Sequence, residues 1–147
     1  CTQAFVPGMV ERGWGRVVNI ASVAGLTAGP YLGAYAASKH AMIGFFDSLH
    51  IELAGSGVSV TVVAPDFVRS EIHRRAIGPD GRPLGTSPMQ EAKIMTADEC
   101  AAIILNATLR RRRLVITSLR GRAMPWLKLL APGMVDRLAA RAIRQRS

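Results

Sequence analysis

Gly15-Arg16-Val17-Val18-Asn19-Ile20-Ala21-Ser22-Val23-Ala24-Gly25 is an apolar run that carries one serine out at its end. Thirteen residues after that serine stands the tyrosine of Tyr35-Ala36-Ala37-Ser38-Lys39, inside a segment that reads as a helix. Residues four apart lie one above the other on a helix face, so the Tyr35 phenol and the Lys39 ammonium can converge on one small molecule. A cation held beside a phenol favours the phenolate, and a serine hydroxyl both donates and accepts. The three side chains make a candidate acid/base centre able to hold a carbonyl or alcohol oxygen during reaction.

Ser22, Tyr35 and Lys39, at this joint spacing, resemble the core of the short-chain dehydrogenase/reductase family. That core has a serine at the end of a strand, a tyrosine thirteen residues later and a lysine four beyond that. The resemblance continues through the strand-like Val58-Ser59-Val60-Thr61-Val62-Val63 into Ala64-Pro65-Asp66-Phe67-Val68-Arg69-Ser70. In the family a Pro-Gly-x-Val-x-Thr segment at this point packs against the nicotinamide. Ser70 stands in the threonine position and keeps the hydroxyl. Asp66 stands where glycine is usual, adding a side chain and a charge where glycine allows the closest backbone approach. Aspartate tolerates turns well, so Asp66 is expected to be a harmless turn substitution, with cofactor affinity the property at stake.

The resemblance implies an NAD(P)-dependent oxidoreductase that interconverts an alcohol and a ketone or aldehyde. Tyr35 would be the general acid/base, Ser22 would hydrogen-bond the substrate oxygen, and Lys39 would assist Tyr35 and hold the nicotinamide ribose. The cofactor, NAD or NADP, would meet Tyr35, Lys39, Pro65, Val68 and Ser70. The competing reading is a non-catalytic relative that acts as a scaffold or docks to a membrane through its basic tail.

In chain order, Gln3 to Val10 resembles the end of the family helix that precedes the serine strand. No glycine-rich phosphate-binding turn follows a strand anywhere in the 147 residues, and Gly13-Trp14-Gly15 precedes one. The chain thus looks like the C-terminal part of a longer protein, inactive alone, with the family's asparagine and the residue choosing NAD or NADP upstream of Cys1. A helix is expected from about Ala34 to Leu53, closed by Gly55-Ser56-Gly57. Its apolar middle, Ala41 to Phe46, calls for cover on more than one side, against the sheet and against a second subunit or the rest of a large monomer. Punctuated residues 67–95 read as a mobile loop over the substrate. Its Arg69, Arg74, Arg75 and Arg82 are either a binding set for an anionic substrate group or solvated charges. Thr96-Ala97-Asp98-Glu99 is a capping box that opens a helix with a Cys100, Ile103, Ile104, Ala107 stripe, and Leu114 to Thr117 is a short strand. This alternation predicts an α/β fold, the C-terminal portion of a Rossmann-like doubly wound parallel sheet.

Cys1 and Cys100 form no paired framework, and His40, His50 and His73 lack metal-ligand spacing, so no metal is expected. No apolar run approaches the ~18 residues needed to cross a bilayer. A cytoplasmic homo-oligomer acting on a small alcohol or carbonyl compound is the expectation, with peripheral membrane contact through the tail as the alternative placement.

The charge is concentrated at one end. Residues 1–109 hold eight Lys and Arg against nine acids, whereas residues 110–147 hold eleven against Asp136 alone. Residues 1–118 therefore read as part of a catalytic domain, and 119–147 as a basic, amphipathic helical tail. Met124 to Val135, with Trp126 and leucines among cations, fits a helix packed on its own domain or a partner subunit, or one lying in anionic headgroups, where each nearby cation contributes ~1 kcal/mol. Nucleic acid is not the expected partner, because Trp126 is the tail's one stacking ring. Similar tails occur in relatives that act on lipophilic alcohols and ketones.

Overall fold

The computed structural model describes residues 2–71, 75, 77, 80–83, 85 and 94–144. Along the chain run α1 (Thr2–Glu11), β1 (Gly15–Ile20), a 3-10 turn (Val23–Gly25), α2 (Gly33–Glu52), β2 (Val58–Ala64), α3 (Ala97–Leu109), β3 (Leu114–Ile116), α4 (Leu119–Leu130) and α5 (Pro132–Arg144). The three strands form one parallel sheet in the order β1-β2-β3. Val17 faces Val60 across the first pair, and Val63 faces Val115 across the second.

β2 is the centre because its β-branched run suits burial on both faces. Val60, Val62, Val63 and Thr61 are the largest fully enclosed side chains. Alternation sends Val58, Val60 and Val62 to one face, where they meet Ile43 and Leu49 of α2 and its C-cap Leu53, with Val6 and Met9 of α1 alongside. Ser59, Thr61 and Val63 point to the other. Arg16, in register with Ser59, donates to the Thr108 carbonyl and to the Leu109 carbonyl at 3.2 Å, closing the C-terminus of α3. Helices therefore cover both faces.

α3 begins as the capping box predicts. Glu99 N–H donates to Thr96 Oγ1 at 3.2 Å and Thr96 N–H donates to Glu99 Oε2 at 2.8 Å. Cys100 and Ala107 are buried along its stripe, and desolvation pushes the Cys100 thiol above its ordinary value, leaving a small, inert apolar group. Arg74, His73 and much of the expected substrate-covering loop lie outside the described residues.

α2 is covered more thinly than its composition suggests. Ile43 and Leu49 are buried, while Ala37, Ala41, Gly44 and Phe45 are exposed. Among the described residues no helix is long and apolar enough to cross a membrane.

Candidate active site

Ser22 leaves β1 in an extended conformation, with φ −170° and ψ 159°, and caps the 3-10 turn. Its Oγ accepts the Ala24 N–H at 3.1 Å. That bond uses a lone pair and leaves the hydroxyl proton free to donate. The turn then lies directly on α2. A Cβ on Gly25 would stand 2.7 Å from the Lys39 carbonyl oxygen, so only glycine permits this approach. Ser22 is thereby seated against the part of α2 that carries Tyr35 and Lys39.

Lys39 is pinned from behind. Its Nζ donates to the Ile20 carbonyl at the end of β1, at 3.3 Å, and stands 5.7 Å from the centroid of the Tyr35 ring. Tyr35 is 46% exposed, so a ligand can reach it.

Beyond the carboxyl ends of β1 and β2 opens a cavity of about 690 Å³ whose wall includes Ser22, Leu32, Tyr35, Pro65, Phe67 and Val68. Ligands of parallel α/β sheets bind at this end. Four of the sequence-predicted site residues, Ser22, Tyr35, Pro65 and Val68, thus share one wall. Lys39 lies off that wall, behind the tyrosine, and Ser70 is exposed and off it as well. Among the described residues no group of His, Cys, Asp and Glu is placed to hold a metal ion.

Asp66 does more than occupy a turn, contrary to the sequence expectation. Its N–H donates to Thr117 Oγ1 at 3.0 Å, and its carboxylate accepts from Ser118 Oγ at 2.7 Å and from Arg120 at 3.1 Å. Ser118 in turn caps α4, its Oγ accepting the Gly121 N–H at 2.9 Å. The Arg120 guanidinium also lies 5.4 Å from the Phe67 ring centroid. Asp66 therefore ties the loop after β2 to the start of the tail, and its charge is compensated.

The tail's first helix completes the site. Arg120, Gly121 and Met124 line the same cavity as Ser22 and Tyr35. A Cβ on Gly121 would meet Val23 and Ile116 methyls at 2.8 Å, so this glycine sets how closely α4 approaches. Sequence reasoning assigned these residues to a separate extension. The signal that could have found them is Ser118 three residues before Gly121, a helix cap immediately after a strand.

The family model for short chain dehydrogenases matches residues 1–78, more than half of the chain. The chain belongs to the short-chain dehydrogenase family. It is 33% identical over 147 residues to mouse dehydrogenase/reductase SDR family member 7B, covering 99% of this chain and 46% of that protein. A short-chain dehydrogenase from Sphingobium yanoikuyae, solved with NADPH, superposes with a TM-score of 0.69 at 31% identity, covering 95% of this chain and 50% of the other. One from Burkholderia phymatum, solved with NAD, gives 0.72 at 26% identity, with 90% and 53% covered. The chain spans about half the length of the curated relatives it matches. Membership agrees with the parallel sheet and with the motifs that first suggested it.

Proposed function

We propose that the protein carrying this chain is an NAD(P)-dependent oxidoreductase that interconverts an alcohol and a ketone or aldehyde. The observation that carries this reading is the shared wall of Ser22 and Tyr35, with Lys39 backing the tyrosine from the Ile20 carbonyl.

The residues present fit the nicotinamide end of such a cofactor. Pro65 and Val68 offer an apolar wall beyond the strand ends, and Asp66 presents no uncompensated charge because Arg120 and Ser118 engage its carboxylate. The phosphate-binding turn belongs to a part of the fold that this chain does not contain. Among the described residues β1 is paired on one edge alone, and the buried Oδ1 of its own Asn19 has no partner. In a protein of the relatives' length a further strand and the cofactor cradle would adjoin that edge.

A nicotinamide held against Pro65 and Val68 would supply the hydride acceptor for the alcohol carbon and the hydride donor for the carbonyl carbon. Tyr35 takes the hydroxyl proton in oxidation and gives it back in reduction, so each direction balances as one hydride and one proton. Ser22 donates its free hydroxyl hydrogen to the substrate oxygen and fixes that oxygen beside the phenol. Lys39 places its positive charge next to the ring while charge develops on the phenol oxygen. Leu32, Phe67 and Met124 supply apolar cover that suits a lipophilic substrate. The exposed small-residue face of α2 suits a second copy, consistent with a homo-oligomer.

The test is turnover of NADH and NADPH by the full-length protein across a panel of ketones, aldehydes and alcohols. Turnover of at least one lipophilic carbonyl is expected. A protein that binds the cofactor and turns over none of them contradicts the reading and favours a scaffold.

A further inference from the structure

α4 has two opposite faces. Gly121 and Met124 turn inward and line the cavity. Leu119, Ala123, Trp126 and Leu130, spaced i, i+4, i+7 and i+11, form one continuous outward stripe. Along that stripe Leu119 is 82% exposed, Trp126 66% and Leu130 79%. An apolar face at strict helical period is ordinarily a buried one, so its exposure calls for an occupant.

α5 follows α4 directly and carries apolar residues of its own. Val135 and Ala139 are half-buried, whereas Met134 and Leu138 stay exposed. Cations border the patch on both helices: Arg122 of α4 and Arg137 and Arg141 of α5 are exposed, whereas Arg120 is engaged by Asp66, and Asp136 is the one acid in α4 and α5. A groove between α3, β3 and α4 adds Arg110 and Arg112, with Trp126 in its lining.

We infer that the α4–α5 surface docks on an anionic lipid bilayer, with the stripe among the acyl-chain ends and the arginines at the phosphates. Charge complementarity selects this occupant. A second copy would bring the same positive surplus against itself, and a nucleic acid would leave three aliphatic members of the stripe without partners. A bilayer of anionic lipid satisfies both the apolar stripe and its cationic border.

The test is co-sedimentation of the full-length protein with vesicles of phosphatidylcholine alone and of equal parts phosphatidylcholine and phosphatidylglycerol. Binding to the anionic vesicles should be strong, should fall with added salt, and should exceed binding to neutral ones by on the order of tenfold or more. Trp126→Ser combined with Leu130→Ser should weaken anionic-vesicle binding on the order of 100-fold while circular dichroism stays unchanged. Arg137→Gln combined with Arg141→Gln should weaken it roughly tenfold. If the serine pair fails to fold, the glutamine pair and the salt series still decide. Equal binding to both vesicle types, wild-type binding by either variant, or a serine pair that changes the oligomeric state in vesicle-free buffer would overturn the inference.

Discussion

The turn from Ser22 to Lys39 and the helices from Leu119 to Arg144 are built from the same materials, and they arrange them in opposite ways. In the first, a single cation is held by one backbone carbonyl behind one aromatic ring, and the neighbouring apolar residues Ala21 and Ile43 are buried. In the second, many cations stand in solvent around an apolar stripe that is itself exposed. A pinned, single charge suits chemistry at one atom, because its geometry is fixed before a substrate arrives. A diffuse positive border suits a surface, where the sum of many weak attractions matters more than the position of any one. The two regions meet where Gly121 contacts Val23 and where Asp66 holds Ser118 and Arg120.

The largest effect should come from breaking the seat of the turn that carries Ser22. Gly25→Ala places a methyl 2.7 Å from a backbone oxygen that has nowhere to move. The expected cost is about 1–3 kcal/mol of stability, read from urea unfolding. Turnover should fall on the order of 100-fold through displacement of Ser22. Tail-dependent binding should be untouched.

A smaller effect should come from the join between the regions. Asp66→Ala removes the acceptor of both Ser118 and Arg120. Arg120 is largely exposed, so the expected loss is only about 1 kcal/mol. Because α4 walls the cavity, KM should rise more than kcat falls. An unchanged KM would mean that the join does not shape the site.

The smallest functional effect belongs to the start of α3, which lines neither the cavity nor the groove beside α4. Thr96→Ala should cost about 1 kcal/mol of stability with turnover unchanged. The Thr96 backbone N–H, then its hydroxyl, and more weakly the Arg69 charge hold the Glu99 carboxyl below the ordinary glutamate value. Such a depressed group stabilises the fold above its unfolded value and loses that contribution as pH falls through the lower, folded one. The wild type should therefore lose capping on acidification, and Thr96→Ala should lose less, as an acid titration of unfolding would reveal.

Much of this was legible in the sequence because the signals were local or strictly spaced. The β-branched Val58 to Val63 run, the Thr96 capping box, and the Ser22, Tyr35 and Lys39 set each announce themselves within a few residues or at a fixed offset. The role of Asp66 was not legible. Its partners Ser118 and Arg120 lie 52 and 54 positions away, and no periodicity links them. The same holds for Gly121 and Met124, whose place in the cavity wall depends on how closely α4 packs against the 3-10 turn. Composition separated the basic tail from the rest, whereas packing joins its first helix to the site.

The most direct test of the account is Tyr35→Phe in the full-length protein, assayed with the best carbonyl substrate of the panel alongside circular dichroism and cofactor titration. Turnover should fall by on the order of 10²–10⁴ while the fold and cofactor binding persist, because only the exchangeable proton is removed. Substantial turnover by the phenylalanine variant would contradict the assignment of Tyr35, and with it the claim that this wall is where the chemistry happens.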